Sequence, residues 1–232
     1  THEKKPFFGG TYFPPEDIAG RPGFKRVLKA VLDLYKTKID EIAQYTENLS
    51  QALQASPLTP GNLDKAILEE AVQNILSEID TSHGGFGTAP KFPMPGAMEF
   101  LMNRYALTKN EHIGLAVRKT LDSMVQGGYY DQLGGGFHRY SVDRAWIIPH
   151  FEKMADDNAW QLRNYITAYA VFNDELYRDA ALWIIGFLRE VLSDPSGGFY
   201  ASQDADVTPD DEGGYFTWSE EEFRHFLSDE EH

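Results

Sequence analysis

Three corners of this chain carry the same tripeptide: Gly84-Gly85-Phe86, Gly135-Gly136-Phe137 and Gly197-Gly198-Phe199. Their phenylalanines stand 51 and then 62 residues apart, and each corner lies between stretches with helical periodicity. A unit recurring at this period suits two helices plus an elaborated loop, which predicts stacked or ring-arranged helical hairpins. The polar residues after the corners are Lys91, then His138 and Arg139, then Gln203, Asp204 and Asp206. Corners on a common rim would bring these side chains together, and that rim is the predicted site.

Charge narrows the partners. The chain has 21 Lys and Arg against 36 Asp and Glu, a net charge of −15. That argues against nucleic acid and against an anionic membrane surface, both of which need clustered cations. No apolar run reaches the roughly 20 residues that span a bilayer, and no secretory signal is visible, so a soluble, cytoplasmic protein is expected. With no cysteine at all, thiolate metal sites and a cysteine nucleophile are excluded from these residues. A start at Thr1 that runs straight into Pro6–Pro15, and a Glu-rich segment that runs to His232, read as a fragment of a longer protein.

Periodicity divides the chain. Residues 6–15 predict a short strand and turn closed by Pro14-Pro15. A long helix is expected from Gly23 to Gln54, with Phe24, Val27, Leu28, Val31, Leu32 and Tyr35 at three- and four-residue steps. Residues 55–61 break it and mark the boundary, with Asn62 as a cap for the next helix. Further helices are expected near 95–107, 111–126, 150–172, 175–192 and 219–228. Short strands are expected around 137–142 and 146–148, and a hairpin between 198–202 and 214–218.

The densest polar cluster is Asp131–Tyr140 followed by Pro149–Met154. Glycines let a backbone approach a ligand, and His138, Arg139, His150 and Glu152 supply acid, base and hydrogen-bonding groups. The competing reading is a loop braced by its own salt bridges. Tyr129, Tyr130, Phe137, Tyr140, Trp146 and Phe151 in the same loops favour a ligand with one apolar face and many hydroxyls, such as a sugar. Glu152 and Asp156 are four apart, a spacing that sets two carboxylates on one helix face and raises one pKa. Asp204 and Asp206 share a face if extended and could hold hydroxyls or a hard cation. His83, His138 and His150 lack zinc spacing, so neither a metal nor a cofactor is expected. Lys91 could reach an anionic group or simply snorkel.

Taken together, five strings resemble one family. They are residues 6–15, Ala89–Pro93, Tyr130–Tyr140, Pro149–Met154 and Ser202–Asp206. The chain resembles the thioredoxin-domain proteins that include the spermatogenesis-associated member of animals. That resemblance implies a mainly α fold: a partial α/α toroid, like six-hairpin glycosidases and sugar epimerases, after the last strand and helix of a thioredoxin-like domain. It places the thioredoxin-like remnant at residues 1–56, the first half of the toroid at 57–232, and the family's Cys-x-x-Cys upstream of Thr1. Two positions depart from the family pattern. Met94 stands where a histidine follows Lys-Phe-Pro, and Ala155-Asp156 stand where Leu-Tyr precedes Asp157-Asn158, which moves the expected carboxylate pair to Glu152 with Asp157.

The function implied is carbohydrate binding or modification at the rim. Glu152 or Asp204 would act as general acid in a hydrolase, and His138 with His150 would exchange a proton in an epimerase. Lys91, Asp131, Arg139, Tyr140, Trp146, Asp157, Gln203 and Asp206 would bind the sugar. The alternative is a non-catalytic module that binds protein clients in thioredoxin-type maintenance.

Overall fold

A computed structural model describes residues 1–18, 20–53, 61, 64–208 and 211–228. The chain divides into two compact units, Thr1–Leu63 and Asp64–His232. The expected break at 55–60 and the Asn62 cap lie outside the described residues.

The first unit holds α1 (Phe24–Thr37) and α2 (Ile39–Leu53). The single long helix expected here is therefore two, parted at Lys38, whose φ of −131° and ψ of 42° leave the helical region. Periodicity carries across such a joint because one residue of irregular backbone barely disturbs the apolar count. Residues 6–15 form no strand, since among the described residues of this unit no neighbouring strand exists to pair with. They are held instead by rings: Phe7 lies 5.5 Å from Tyr35, and Phe13 lies 6.3 Å from Phe24.

The second unit is built from α3 (Ala66–Ser77), α4 (Pro95–Thr108), α5 (Glu111–Gln126), α6 (Ala155–Phe172), α7 (Glu175–Glu190) and the short α8 (Glu220–Phe226). Their starts follow local chemistry. The side chains of Asn110 and Asp174 accept from the amides of His112 and Leu176, and Ser219 with Glu222 forms a capping box. Helices α4 and α5, and then α6 and α7, make consecutive hairpins, with α4 also packed on α6. Between them lies one core containing Met98, Leu101, Val117, Leu121, Phe137, Tyr165, Tyr177 and Ile184, all fully buried.

The three corners close in the same way. In each, the phenylalanine bridges back to a residue a few positions beyond the preceding helix: Ile79 with Phe86, Tyr130 with Phe137, Ser193 with Phe199. The next residue is an aspartate, whose amide donates to the second glycine's carbonyl and whose carbonyl accepts from the first glycine's amide. This holds for Asp80, Asp131 and Asp194. Both glycines of every pair have positive φ, a conformation open to glycine alone at little cost. At Gly85 a methyl group would also stand 2.4 Å from the Trp146 ring.

The segments beyond the corners are stitched to one another. Lys91 bridges Ser141. Strand β1 (Tyr140–Ser141) pairs with β2 (Pro149–His150), and β3 (Lys153–Met154) pairs with β4 (Ser202–Gln203). The hairpin expected between 198–202 and 214–218 does not form, because 202–203 takes β3 as its partner. Asp206 instead bridges Glu212.

Candidate functional site

Two of the expected ligand-binding residues are committed to the corners. Lys91 is fully buried, and its Nζ donates to Asp80 Oδ2 at 2.7 Å and to the Gly84 carbonyl at 2.6 Å. Arg144 donates to both oxygens of the same Asp80 carboxylate, at 2.7 and 2.9 Å. The Arg144 hydrogen bonds, assisted by Lys91 and by the amides of Ser82 and His83, hold Asp80 far below the usual carboxylate range. The second corner repeats the device with Asp131. Lys153 Nζ donates to Asp131 Oδ2 at 2.6 Å and to the Gly135 carbonyl at 2.8 Å.

Lys91 and Asp131 thus have their charges engaged in the corners, and Trp146 packs beside one of them. The tryptophan is completely buried at φ +66°, donates from Nε1 to the Gly84 carbonyl, and packs 5.0 Å from Tyr129. Asp80 and Lys153 were not among the expected site residues. The signal that finds Asp80 is an aspartate three or four residues before each Gly-Gly pair, and no comparable spacing marks Lys153.

A different set of residues keeps its chemistry available. Backbone pairing carries Arg139 to Glu152, whose carbonyl accepts from the Arg139 amide at 2.8 Å. Their side chains then form an ion pair, Arg139 Nη1 to Glu152 Oε2, also at 2.8 Å. Asp157 sits in the first turn of α6, half-buried, within electrostatic reach of both. Burial, then the adjacent Asp156 charge, pushes its carboxyl up to about 6, with Glu152 adding to the rise and Arg139 opposing it. The rings of Phe92, Tyr140 and His150 are layered, with centroids 4.8 and 4.9 Å apart. His150 Nε2 lies 3.6 Å from Glu212, while His150 Nδ1 and Gln203 Oε1 are buried atoms with no hydrogen-bond partner among the described residues.

Asp204 and Asp206 stay apart from this group. Both are exposed, and Asp204 Oδ1 accepts from the Asp206 amide at 3.2 Å, an arrangement that shapes their own loop. Among the described residues neither forms a hydrogen bond or ion pair with Glu152 or His150. The carboxylate within electrostatic reach of Glu152 is that of Asp157. Among the described residues no group of three His, Asp or Glu is placed to hold a metal ion, and no helix is long and apolar enough to cross a membrane.

His138 is buried and lines a separate cleft of about 770 Å³, together with Ile148, Phe151, Tyr215 and Trp218. Its Nδ1 donates to the Phe151 carbonyl at 2.9 Å, so Nε2 is the basic nitrogen of the neutral ring. Burial, and next the Lys153 charge, lower it to about 4.

These two shifts oppose one another in stability. Unfolded His138 binds more protons than the native ring between pH 4 and 6.5, so its contribution rises with pH. Asp157 binds more protons in the native state between pH 3.8 and about 6, so its contribution falls across that range. Asp157→Asn should unmask the histidine: urea unfolding from pH 4 to 6.5 should show stability climbing more steeply than in the wild type. An unchanged slope would mean that Asp157 is not raised.

Comparison with known proteins follows the same division. Residues 1–54 match the family Thioredox_DsbH, described as a protein of unknown function, DUF255. Spermatogenesis-associated protein 20 of mouse is 38% identical over 240 residues, covering 96% of this chain and 30% of the mouse protein. The human protein is 36% identical over 242 residues, covering 98% and 31%. This chain is a relative of spermatogenesis-associated protein 20.

The chain spans about a third of the length of those curated relatives. Two solved structures share its fold. A cellobiose 2-epimerase from Spirochaeta thermophila has a TM-score of 0.50 at 16% identity, covering 60% of this chain and 39% of that one. A sugar epimerase from a ruminal bacterium has a TM-score of 0.51 at 13% identity, covering 60% and 40%. At such identity the likeness shows architecture alone: a mainly helical, partial α/α toroid.

Proposed function

We propose that this relative of spermatogenesis-associated protein 20 binds and chemically modifies a carbohydrate at the start of α6. The observation that carries the reading is one juxtaposition. The Arg139–Glu152 ion pair and the half-buried Asp157 lie within electrostatic reach of one another. In the chain Arg139 adjoins Tyr140 and Glu152 follows His150 by two residues, the two residues whose rings are layered with that of Phe92. Aromatic faces suit the apolar face of a sugar ring, and carboxylates with an arginine suit its hydroxyls. Asp157, protonated up to about pH 6, is the proton donor. Glu152, ion-paired with Arg139, is the second carboxylate that the two-carboxylate logic of glycoside chemistry requires. His150 stacks against the ring of Tyr140 and serves as a proton acceptor in an epimerase-like variant of the same site. Residues 1–56 in this reading belong to a thioredoxin-like part of the parent, which the match at residues 1–54 supports.

The test is thermal denaturation of the longest expressible form of the parent with a panel of mono- and disaccharides. A sugar present at 100 times its Kd stabilises the native state by about 2.7 kcal/mol. The expected result is a rise in Tm for at least one sugar, abolished by Glu152→Gln. No rise with any sugar, or a rise that Glu152→Gln leaves intact, would remove this site from carbohydrate chemistry and favour a module that binds protein clients.

A further inference from the structure

Two of the three corners hold a lysine and, among the described residues, the third does not. In those two a lysine Nζ sits between one aspartate oxygen and the carbonyl of the first glycine, at distances of 2.6–2.8 Å. Each ammonium also faces an aromatic ring contributed by a later segment of the chain. The Trp146 ring lies 5.7 Å from Lys91, and the Phe187 and Phe216 rings lie 4.8 and 5.0 Å from Lys153.

The third corner has the same frame. The Asp194 amide donates to the Gly198 carbonyl at 3.1 Å, and the Gly197 amide donates to the Asp194 carbonyl at 2.9 Å. Asp194 Oδ1 accepts from the Ser196 amide at 2.7 Å, as Asp80 Oδ1 and Asp131 Oδ1 accept from amides of their own loops. The loop is one residue shorter, the Ser196 hydroxyl also donates to Asp194 Oδ1, and the exposed Tyr200 phenol donates a hydrogen bond to the carboxylate. Among the described residues no lysine sits on Asp194, and none follows Lys153 in the sequence.

We propose that the Asp194 corner is a receptor for a lysine ε-ammonium group carried outside residues 154–232. The group would be seated on the Asp194 carboxylate and the Gly197 carbonyl, as Lys91 and Lys153 are seated on theirs. The chemistry is shared by two sources: a lysine of a second copy of this chain, or one on a further part of a longer parent. The inference is independent of the carbohydrate reading.

Two measurements test it. First, N-acetyl-lysine-N-methylamide is titrated into the 232-residue chain while the Gly197 and Gly198 amide resonances are followed. A saturable shift is expected that Asp194→Asn abolishes and that the ε-acetylated probe does not produce. The variant Ser196→Ala, which touches only Oδ1, should keep the shift and so controls for loop distortion. Second, sedimentation of the chain and thermal denaturation of a longer parent are compared with and without Asp194→Asn. A dimer lost on substitution identifies the second copy as the source. A monomeric chain, with a lower Tm only in the substituted parent, identifies the longer protein. Absence of a saturable shift, together with unchanged association and unchanged Tm, overturns the proposal.

Discussion

Asp80→Asn is expected to destabilise the helical unit by about 3–5 kcal/mol, the cost of leaving a buried charge without its partner. Lys91 is completely enclosed, and its other partners are the Gly84 carbonyl and the face of Trp146. Without the Asp80 charge its ammonium must be held in low dielectric by dipoles alone, or give up its proton. In a unit of this size each kcal/mol moves Tm by roughly 2–4 °C, so the fall should be on the order of 10 °C. Lys91→Met is the informative contrast. It leaves Asp80 paired with Arg144 through two hydrogen bonds, so a smaller loss is expected from circular dichroism melts of the two variants. Equal losses would mean that Arg144 does not compensate for the missing lysine.

The second large effect is on turnover. In the carbohydrate reading, Asp157→Asn removes the proton donor, and general acid catalysis contributes typically about 10²–10⁴-fold. A loss of that size in kcat/KM is expected for the sugar that raises Tm, measured in the longest expressible parent. Stability should not fall with it at neutral pH, because keeping a half-buried carboxylate ionised there costs the native state free energy. Loss of activity with an unchanged fold separates a chemical role from a structural one. Full activity in Asp157→Asn would exclude it as the acid.

The carboxylate cluster and the corners differ in how legible they were. Glu152 and Asp157 stand out because the helix beginning at Ala155 brings them near each other from either side of β3. Lys91, Asp131 and Trp146 look equally functional by residue type, yet all three stabilise corners. A buried lysine and an exposed one read alike until its aspartate is located, and Asp80 lies 11 residues upstream of Lys91 while Asp131 lies 22 upstream of Lys153. The apolar stripe of the first unit has the same ambiguity. Phe24, Leu28 and Leu32 follow a core-facing period, yet each is exposed here.

The residues determined by themselves what was local and repetitive. The helices came from apolar steps of three and four with polar caps, and the corners came from paired glycines that alone tolerate positive φ at little cost. Only the tertiary structure decided which charges meet. Lys153 could have faced Glu152 or Asp156, its close neighbours in the chain, but the β3–β4 pairing and the closed second corner direct it to Asp131. That choice leaves Arg139 to Glu152 and leaves Asp157 without a hydrogen-bonded cation among the described residues. The physical reason is that an ion pair is set by distance and burial after folding, and neither is written in the spacing of the residues that make it.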